Sequence, residues 1–248
     1  MSDRLSMVQL RLNAERLIRF AQDQGINQAR DEDLGYCIHA WLAATFGPLA
    51  PKPFRLLDAN TAWRKSRPLQ WLGYSAYDGA DLREQAETFA SPLALAVCDP
   101  ADLACAKRMP VAWTVGRRFG FEVLACPVSR REDVEKDVFL RQVEAMSETD
   151  SPLDRAAAYS EWLARQLDRA AVLESVRLEG FQLVRLLRRS QKTADQVRRF
   201  GRRLVHPQAL LRGELTVRDG KAFMALLARG VGRHRAFGYG MLLLRPPA

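Results

Sequence analysis

A tyrosine and a histidine three residues apart, Tyr36 and His39, are the pair in this chain best suited to handling a proton beside an anionic ligand. On a helix that spacing puts both side chains on one face, and the small neighbours Ala40 and Ala43 leave the face accessible. An imidazole exchanges protons close to neutral pH, and a phenol beside it can hold a hydroxyl or a phosphate oxygen in position. Two cationic stretches could supply the charge that such a site needs. Between residues 185 and 203 eight of nineteen side chains are basic (Arg185, Arg188, Arg189, Lys192, Arg198, Arg199, Arg202 and Arg203), and Asp195 is the single acid. Near the C-terminus, residues 230–240 carry Gly230, Gly232, Gly238 and Gly240 as two Gly-x-Gly pairs around Arg233, His234 and Arg235.

Glycine at that density implies positive φ or close backbone approach. The loop follows a helix pattern and precedes a short apolar strand, the reverse of the strand-loop-helix order that a dinucleotide or P-loop site requires. A solvated face normally mixes charge signs, whereas the 185–203 run is almost purely cationic, which suits neutralisation of several phosphates. Together these features point to nucleic acid. A histidine on such a cationic surface suits proton transfer beside a phosphate.

Composition sets the frame. The chain has 248 residues, 48% hydrophobic and 27% charged, with 38 Lys plus Arg against 29 Asp plus Glu and a net charge of +9, so an anionic partner is favoured. No apolar run reaches the roughly 18–20 residues of a membrane span, and Met1 to Arg11 does not read as a signal peptide, so a soluble cytoplasmic protein with no membrane partner is expected. Cys37, Cys98, Cys105 and Cys126 are scattered, without Cys-x-x-Cys pairs or histidines at zinc spacing. Asp31, Glu32 and Asp33 are consecutive, so a helix cannot aim all three at one ion. Neither a disulfide framework, a metal site nor a cofactor is expected.

The elements that must position these residues follow from periodicity. Met7 to Arg11 alternates as a strand. A polar segment from Asn13 to Arg30 leads to an acidic helix start and a helix with Leu34, Ile38, Trp41, Leu42 and Phe46 inward, stopped at Gly47-Pro48. Strands are predicted over 53–57, 69–75 and 92–97, with a helix over 81–89 between the last two. In the second half, strands are predicted at 119–125, 175–184, 210–217 and 241–244. A solvated helix is expected over 130–150, a helix opened by Ser151 as N-cap, and a last helix over 221–229. Each half reads β-α-β-β-α-β, the order of a ferredoxin-like unit. The predicted fold is α+β: two tandem ferredoxin-like domains, residues 1–108 with the Tyr/His helix and 109–248 with the basic insertion and the glycine loop.

The spacing glycine, apolar, glycine, five residues, glycine, apolar, glycine, followed by Met-Leu-Leu-Leu-Arg-Pro-Pro, resembles the glycine-rich loop of the CRISPR precursor-RNA processing endoribonucleases, in particular their CasE group. Tyr36-Cys37-Ile38-His39 is similar to that group's Tyr-x-x-His on the first helix. The Trp-Leu helix at 161–167, Arg188-Arg189-Ser190-Gln191 and the strand 211–217 resemble it as well. Where many members carry Arg-x-Asn-Pro, this chain has Leu124-Ala125-Cys126-Pro127. The resemblance implies two ferredoxin-like domains and a repeat-RNA hairpin as substrate, cut at the 3′ base of its stem and then retained. It also implies membership of a crRNA-guided surveillance complex. His39 would act as general acid or base and Tyr36 would position the reacting groups. Arg188, Arg189, Lys192, Arg198, Arg199, Arg202 and Arg203 would hold RNA, as would Gly230, Gly232, Arg233, His234, Arg235, Gly238 and Gly240. His206 is read as structural. A non-cleaving RNA-binding scaffold subunit is the alternative.

Overall fold

Alternation at Ser6–Leu12 buries Ser6, Val8, Leu10 and Leu12 on one side, and this strand, β1, is the centre of the first sheet in the computed structural model, which describes residues 4–26, 33–57, 67–132, 134–146, 153–189 and 201–247. A helix missing from the sequence reading, α1 (Ala14–Asp23), follows at once: Asn13 caps it by accepting from the Arg16 amide at 3.0 Å, and Leu17, Phe20 and Ala21 face inward. Its charged outer face made it look like a polar connection. Helix α2 (Leu34–Phe46) is capped by Asp33, and strands β2 (Phe54–Leu57) and β3 (Leu69–Ser75) follow. Helix α3 (Gly79–Phe89) starts in a reciprocal capping box between Asp78 and Asp81.

The strand expected over 92–97 is instead a short helix, α4 (Pro92–Leu95), because Ser91 caps it and Pro92 fits the first helical turn. The fourth strand is β4 (Lys107–Arg108), paired with Ser6 and Met7 of β1. The sheet order β2-β3-β1-β4, antiparallel throughout, is that of a ferredoxin-like domain. Helices and sheet enclose Trp41, Phe46, Phe54 and Trp71.

The second half repeats the plan. Strand β5 (Arg118–Ala125) is central, and the expected solvated helix over 130–150 is instead a hairpin, β6 (Val128–Arg131) with β7 (Val134–Asp137), and a short helix α5 (Val138–Glu144). Glu132 takes φ +47 at the turn and Asp137 caps the helix, so the mixed charge run is divided by two local signals. Helix α6 (Arg155–Leu167) is capped by Asp154 rather than Ser151, and Tyr159, Trp162, Leu163 and Leu167 are its large inward residues, while Leu153 and Ala157 lie exposed. Buried Asp137 accepts from Arg155 at 2.6 Å and from the Tyr159 hydroxyl at 2.9 Å, which ties hairpin and α5 to α6.

Strands β8 (Ala171–Arg189) and β9 (Gly201–Val217) extend well past the expected limits and form one long hairpin with two bulges. Arg188 opposes Arg202 in it, so the ends of the basic run are strand rather than loop; residues 190–200, with Lys192, Arg198 and Arg199, lie outside the described residues. Helix α7 (Gly220–Arg229) leads into the glycine loop and β10 (Leu242–Arg245). The order β10-β5-β9-β8 matches that of the first sheet, so the chain holds two ferredoxin-like domains. They meet over Tyr74, whose hydroxyl donates to the Leu242 carbonyl at 2.9 Å inside the second core. No described helix is long and apolar enough to cross a membrane.

Candidate active site

The glycine loop's shape comes from its sequence. Gly230, Gly232, Gly238 and Gly240 all have φ between +70° and +91°, and His234 joins them at +59°. The Val231 amide donates to the Gly240 carbonyl at 2.8 Å and the Gly240 amide to the Leu124 carbonyl at 2.8 Å, closing the loop onto β5. A side chain at Gly232 would stand 2.7 Å from the Trp162 ring in addition to the unfavourable φ. The amides of Gly230, Val231 and Gly240 are thus taken up within the chain.

The loop comes to rest on α2. Phe237, in the 3-10 turn Arg235–Phe237, stacks on Tyr36 with ring centroids 6.0 Å apart and planes 8° from parallel, and meets the His39 ring at 4.9 Å. Tyr36 and His39 are themselves 6.3 Å apart, edge to face, and both are half-buried. Gly35 makes the approach possible, because a Cβ there would run into the Phe237 carbonyl oxygen. Three residues from opposite ends of the chain therefore form one aromatic corner. Burial, and after it the charge of Lys52, hold the His39 imidazole below its ordinary pKa. Lys52 and Phe237 also line a groove of about 590 Å³ with Arg229, Arg233 and Arg235. The Arg235 guanidinium is held below its usual range by burial and by the neighbouring Arg229 and Arg233 charges. No acid lines this groove among the described residues, so it is a concave cationic surface beside a neutral imidazole.

His234, expected to contact RNA, also lines this groove, but its imidazole is turned inward. Its side chain is 1% exposed, with Nε2 2.9 Å from a carboxylate oxygen of Glu135, and its ring lies 4.9 Å from that of His206. Arg233 donates to the other Glu135 oxygen at 2.6 Å, so it divides itself between the groove and this carboxylate. His206, read as structural, is buried in the same cluster, and Cys126 completes a trio whose donor atoms all lie within 4.8 Å of one another. The side chains of Arg188, Arg189, Arg202 and Arg203 lie outside the described set, as do Lys192, Arg198 and Arg199 altogether. Sequence reasoning missed Lys52, Arg229, Phe237, Gly35 and Glu135. Phe237 alone had a signal, as the one large aromatic between the two glycine pairs; the others join the site only through tertiary contact.

A family profile described as "CRISPR associated protein" matches residues 5–246. Among solved structures, a CRISPR endoribonuclease Cse3 bound to 19 nt RNA superposes with a TM-score of 0.61 at 21% identity, covering 98% of this chain and 100% of that one. The CRISPR-associated protein Cas6e from Escherichia coli str. K-12 gives 0.52 at 19% identity, with 97% and 99% covered. A chain of a CRISPR RNA-guided surveillance complex gives 0.56 at 15% identity, again with 97% and 99% covered. No curated protein matches the sequence. At these identities the structural likeness shows a shared fold over essentially the whole length.

Proposed function

The chain belongs to the CRISPR-associated protein family, and from that premise we propose that it is an endoribonuclease that binds the hairpin of CRISPR repeat RNA and cleaves precursor crRNA at the 3′ base of the stem. The observation that carries this reading is the corner of Tyr36, His39 and Phe237 at the edge of an acid-free cationic groove. It joins a proton-handling pair to a phosphate-sized field of positive charge. The structures with the same fold are described as a CRISPR endoribonuclease bound to RNA and as part of an RNA-guided surveillance complex, which fits the reading.

In this mechanism the scissile phosphate rests over Lys52, Arg233 and Arg235. Neutral His39, kept so by burial and Lys52, takes the proton of the 2′-hydroxyl. The 2′-oxygen forms a bond to phosphorus, the bond to the 5′-oxygen breaks, and that oxygen takes a proton from water. The products are a 2′,3′-cyclic phosphate and a 5′-hydroxyl. Tyr36, braced by Phe237, positions the 2′-hydroxyl or the phosphate, and the cations offset the extra negative charge of the transition state. No step requires a metal. The basic run at 185–203 holds the RNA, residues 1–108 and 109–248 act as the two halves of the cleft, and the protein keeps the cut crRNA as a subunit of a surveillance complex.

Incubation of purified protein with end-labelled repeat RNA in EDTA tests this. Wild type is expected to cut at one position and His39→Ala to bind without cutting. Intact RNA with wild type, at concentrations where a gel shift shows binding, would replace the nuclease with a non-catalytic RNA-binding scaffold.

A further inference from the structure

We propose that Cys126, His206 and His234 form a buried site for one divalent transition-metal ion of the zinc class, serving as a structural cross-link between the glycine loop and the second sheet. The three come from separate elements. Cys126 directly follows β5, His206 lies on β9 opposite Val184, and His234 sits within the loop with left-handed backbone. They are 1%, 3% and 8% exposed, and their ligand atoms all lie within 4.8 Å of one another. No sequence spacing announces the group, which exists only once β5, β9 and the loop have packed.

The donor chemistry selects the ion. A thiolate and two imidazoles are borderline-soft ligands that suit zinc and its neighbours rather than magnesium or calcium. Tetrahedral zinc with bonds of about 2.0–2.3 Å separates its ligand atoms by about 3.3–3.8 Å, so the trio closes on an ion by shifts of roughly 1 Å. Glu135 supplies the outer carboxylate that such sites use to orient a ligating histidine: one oxygen is 2.9 Å from His234 Nε2 and 3.8 Å from His206 Nε2, and Arg233 holds the other at 2.6 Å. The thiolate offsets one of the ion's two charges, and Glu135, shared with the 40%-exposed Arg233, offsets part of the other. Loading forms one metal–sulfur and two metal–nitrogen bonds, leaves the fourth tetrahedral position to a water that enters with the ion, and releases the thiol proton to solvent, so affinity falls as pH falls. His234 also borders the groove, but its side chain is turned into the trio, and the ion takes no part in the cleavage proposed above. Its expected effect is to fix Arg233, which precedes His234, and Phe237, whose ring lies 6.3 Å from that of His234.

The test uses full-length chain without a metal-binding tag, stripped with chelator, and Co²⁺ as the probe. Titration is expected to give visible d–d bands of tetrahedral cobalt and a sulfur-to-cobalt charge-transfer band in the near ultraviolet, both saturating at one equivalent and abolished by Zn²⁺. Zinc at a hundredfold over its Kd should raise Tm by about 5 °C. Cys126→Ser should remove the charge-transfer band and weaken binding at least tenfold, and Cys98→Ser should leave both unchanged. The absence of tetrahedral cobalt bands from the wild-type chain overturns the proposal. So does a charge-transfer band that survives Cys126→Ser or vanishes with Cys98→Ser. Should Cys126→Ser fail to fold, His206→Asn replaces it, with the same loss of affinity expected and unchanged affinity overturning the site. These readouts need no RNA and are independent of whether the protein cuts it.

Discussion

Phe237 stands between two histidines, 4.9 Å from His39 and 6.3 Å from His234, and the two sit in opposite electrical settings. His39 is half-buried, faces Lys52, and lies beside a groove with no acid among its lining residues. His234 is sealed from solvent and held by Glu135, which also anchors Arg233. One residue type thus meets two environments on either side of Phe237. A carboxylate partner fixes His234 in the framework, whereas burial and then a cationic neighbour hold the His39 imidazole below its ordinary pKa. Proximity to the glycine loop does not distinguish them; the sign of the neighbouring charge does.

The largest effect expected from this contrast is on cleavage itself. His39→Ala should slow single-turnover cutting of repeat RNA by about 10²–10⁴-fold, the usual contribution of a general base, with RNA affinity preserved. His234→Asn should leave the cleavage step within about tenfold of wild type while lowering thermal stability, since it touches the framework. If His234→Asn, still folded and still binding RNA, loses as much rate as His39→Ala, the assignment of the two histidines is reversed.

Next comes the contact that brings loop and helix together. Gly35→Ala would force the Phe237 carbonyl away from α2, and a displacement of about 1 Å at a reacting centre can cost on the order of a hundredfold in rate. Gly180→Ala in β8, where an added Cβ meets only Leu210 Cβ at 3.9 Å, is the matched control and should cleave normally. Equal rates for the two variants would show that Phe237 does not position the pair.

On the framework side, Glu135→Gln keeps the volume and removes the charge that Arg233 and His234 share. Because the Arg233 side chain is 40% exposed and can turn to water, the expected loss is about 1–3 kcal/mol of stability rather than that of a fully buried ion pair. At roughly 2–4 °C per kcal/mol for a chain of this length, thermal unfolding should move down by several degrees. An unchanged Tm would remove Glu135 from the framework.

The same contrast explains what the sequence disclosed. Tyr36 and His39 were legible because a three-residue helical spacing is local, and the two β-α-β-β-α-β halves because periodicity survives in most elements. Helix α1 was hidden by charged residues at 15, 16, 19 and 23 around a narrow apolar stripe of Leu17, Phe20 and Ala21. The hairpin β6–β7 was hidden because Glu132 turns the chain at positive φ, which composition does not reveal. Lys52, Glu135 and the contact of Gly35 with Phe237 depend on register between elements far apart in the chain. The difference between a His beside Lys52 and a His beside Glu135 is therefore invisible before folding, and His234, with arginine on either side in sequence, read as the more cationic of the two.

The smallest effect is the most specific to the neighbouring charge. The positive charge of Lys52 disfavours a second positive charge on the imidazole, so it lowers the His39 pKa, behind burial as the larger cause. Cleavage by a neutral general base gains its active form as pH rises through that pKa, so the rate should have an acidic limb lying below 6.5, the ordinary value of a histidine. Lys52→Ala should shift the limb to higher pH, yet still short of 6.5, because burial remains. The plateau rate should fall a few-fold as well, since the groove loses a cation, and that loss is independent of pH. An alkaline limb in its place would mean that His39 works as the protonated acid, and an acidic limb that moves to lower pH would mean that Lys52 does not lower the His39 pKa.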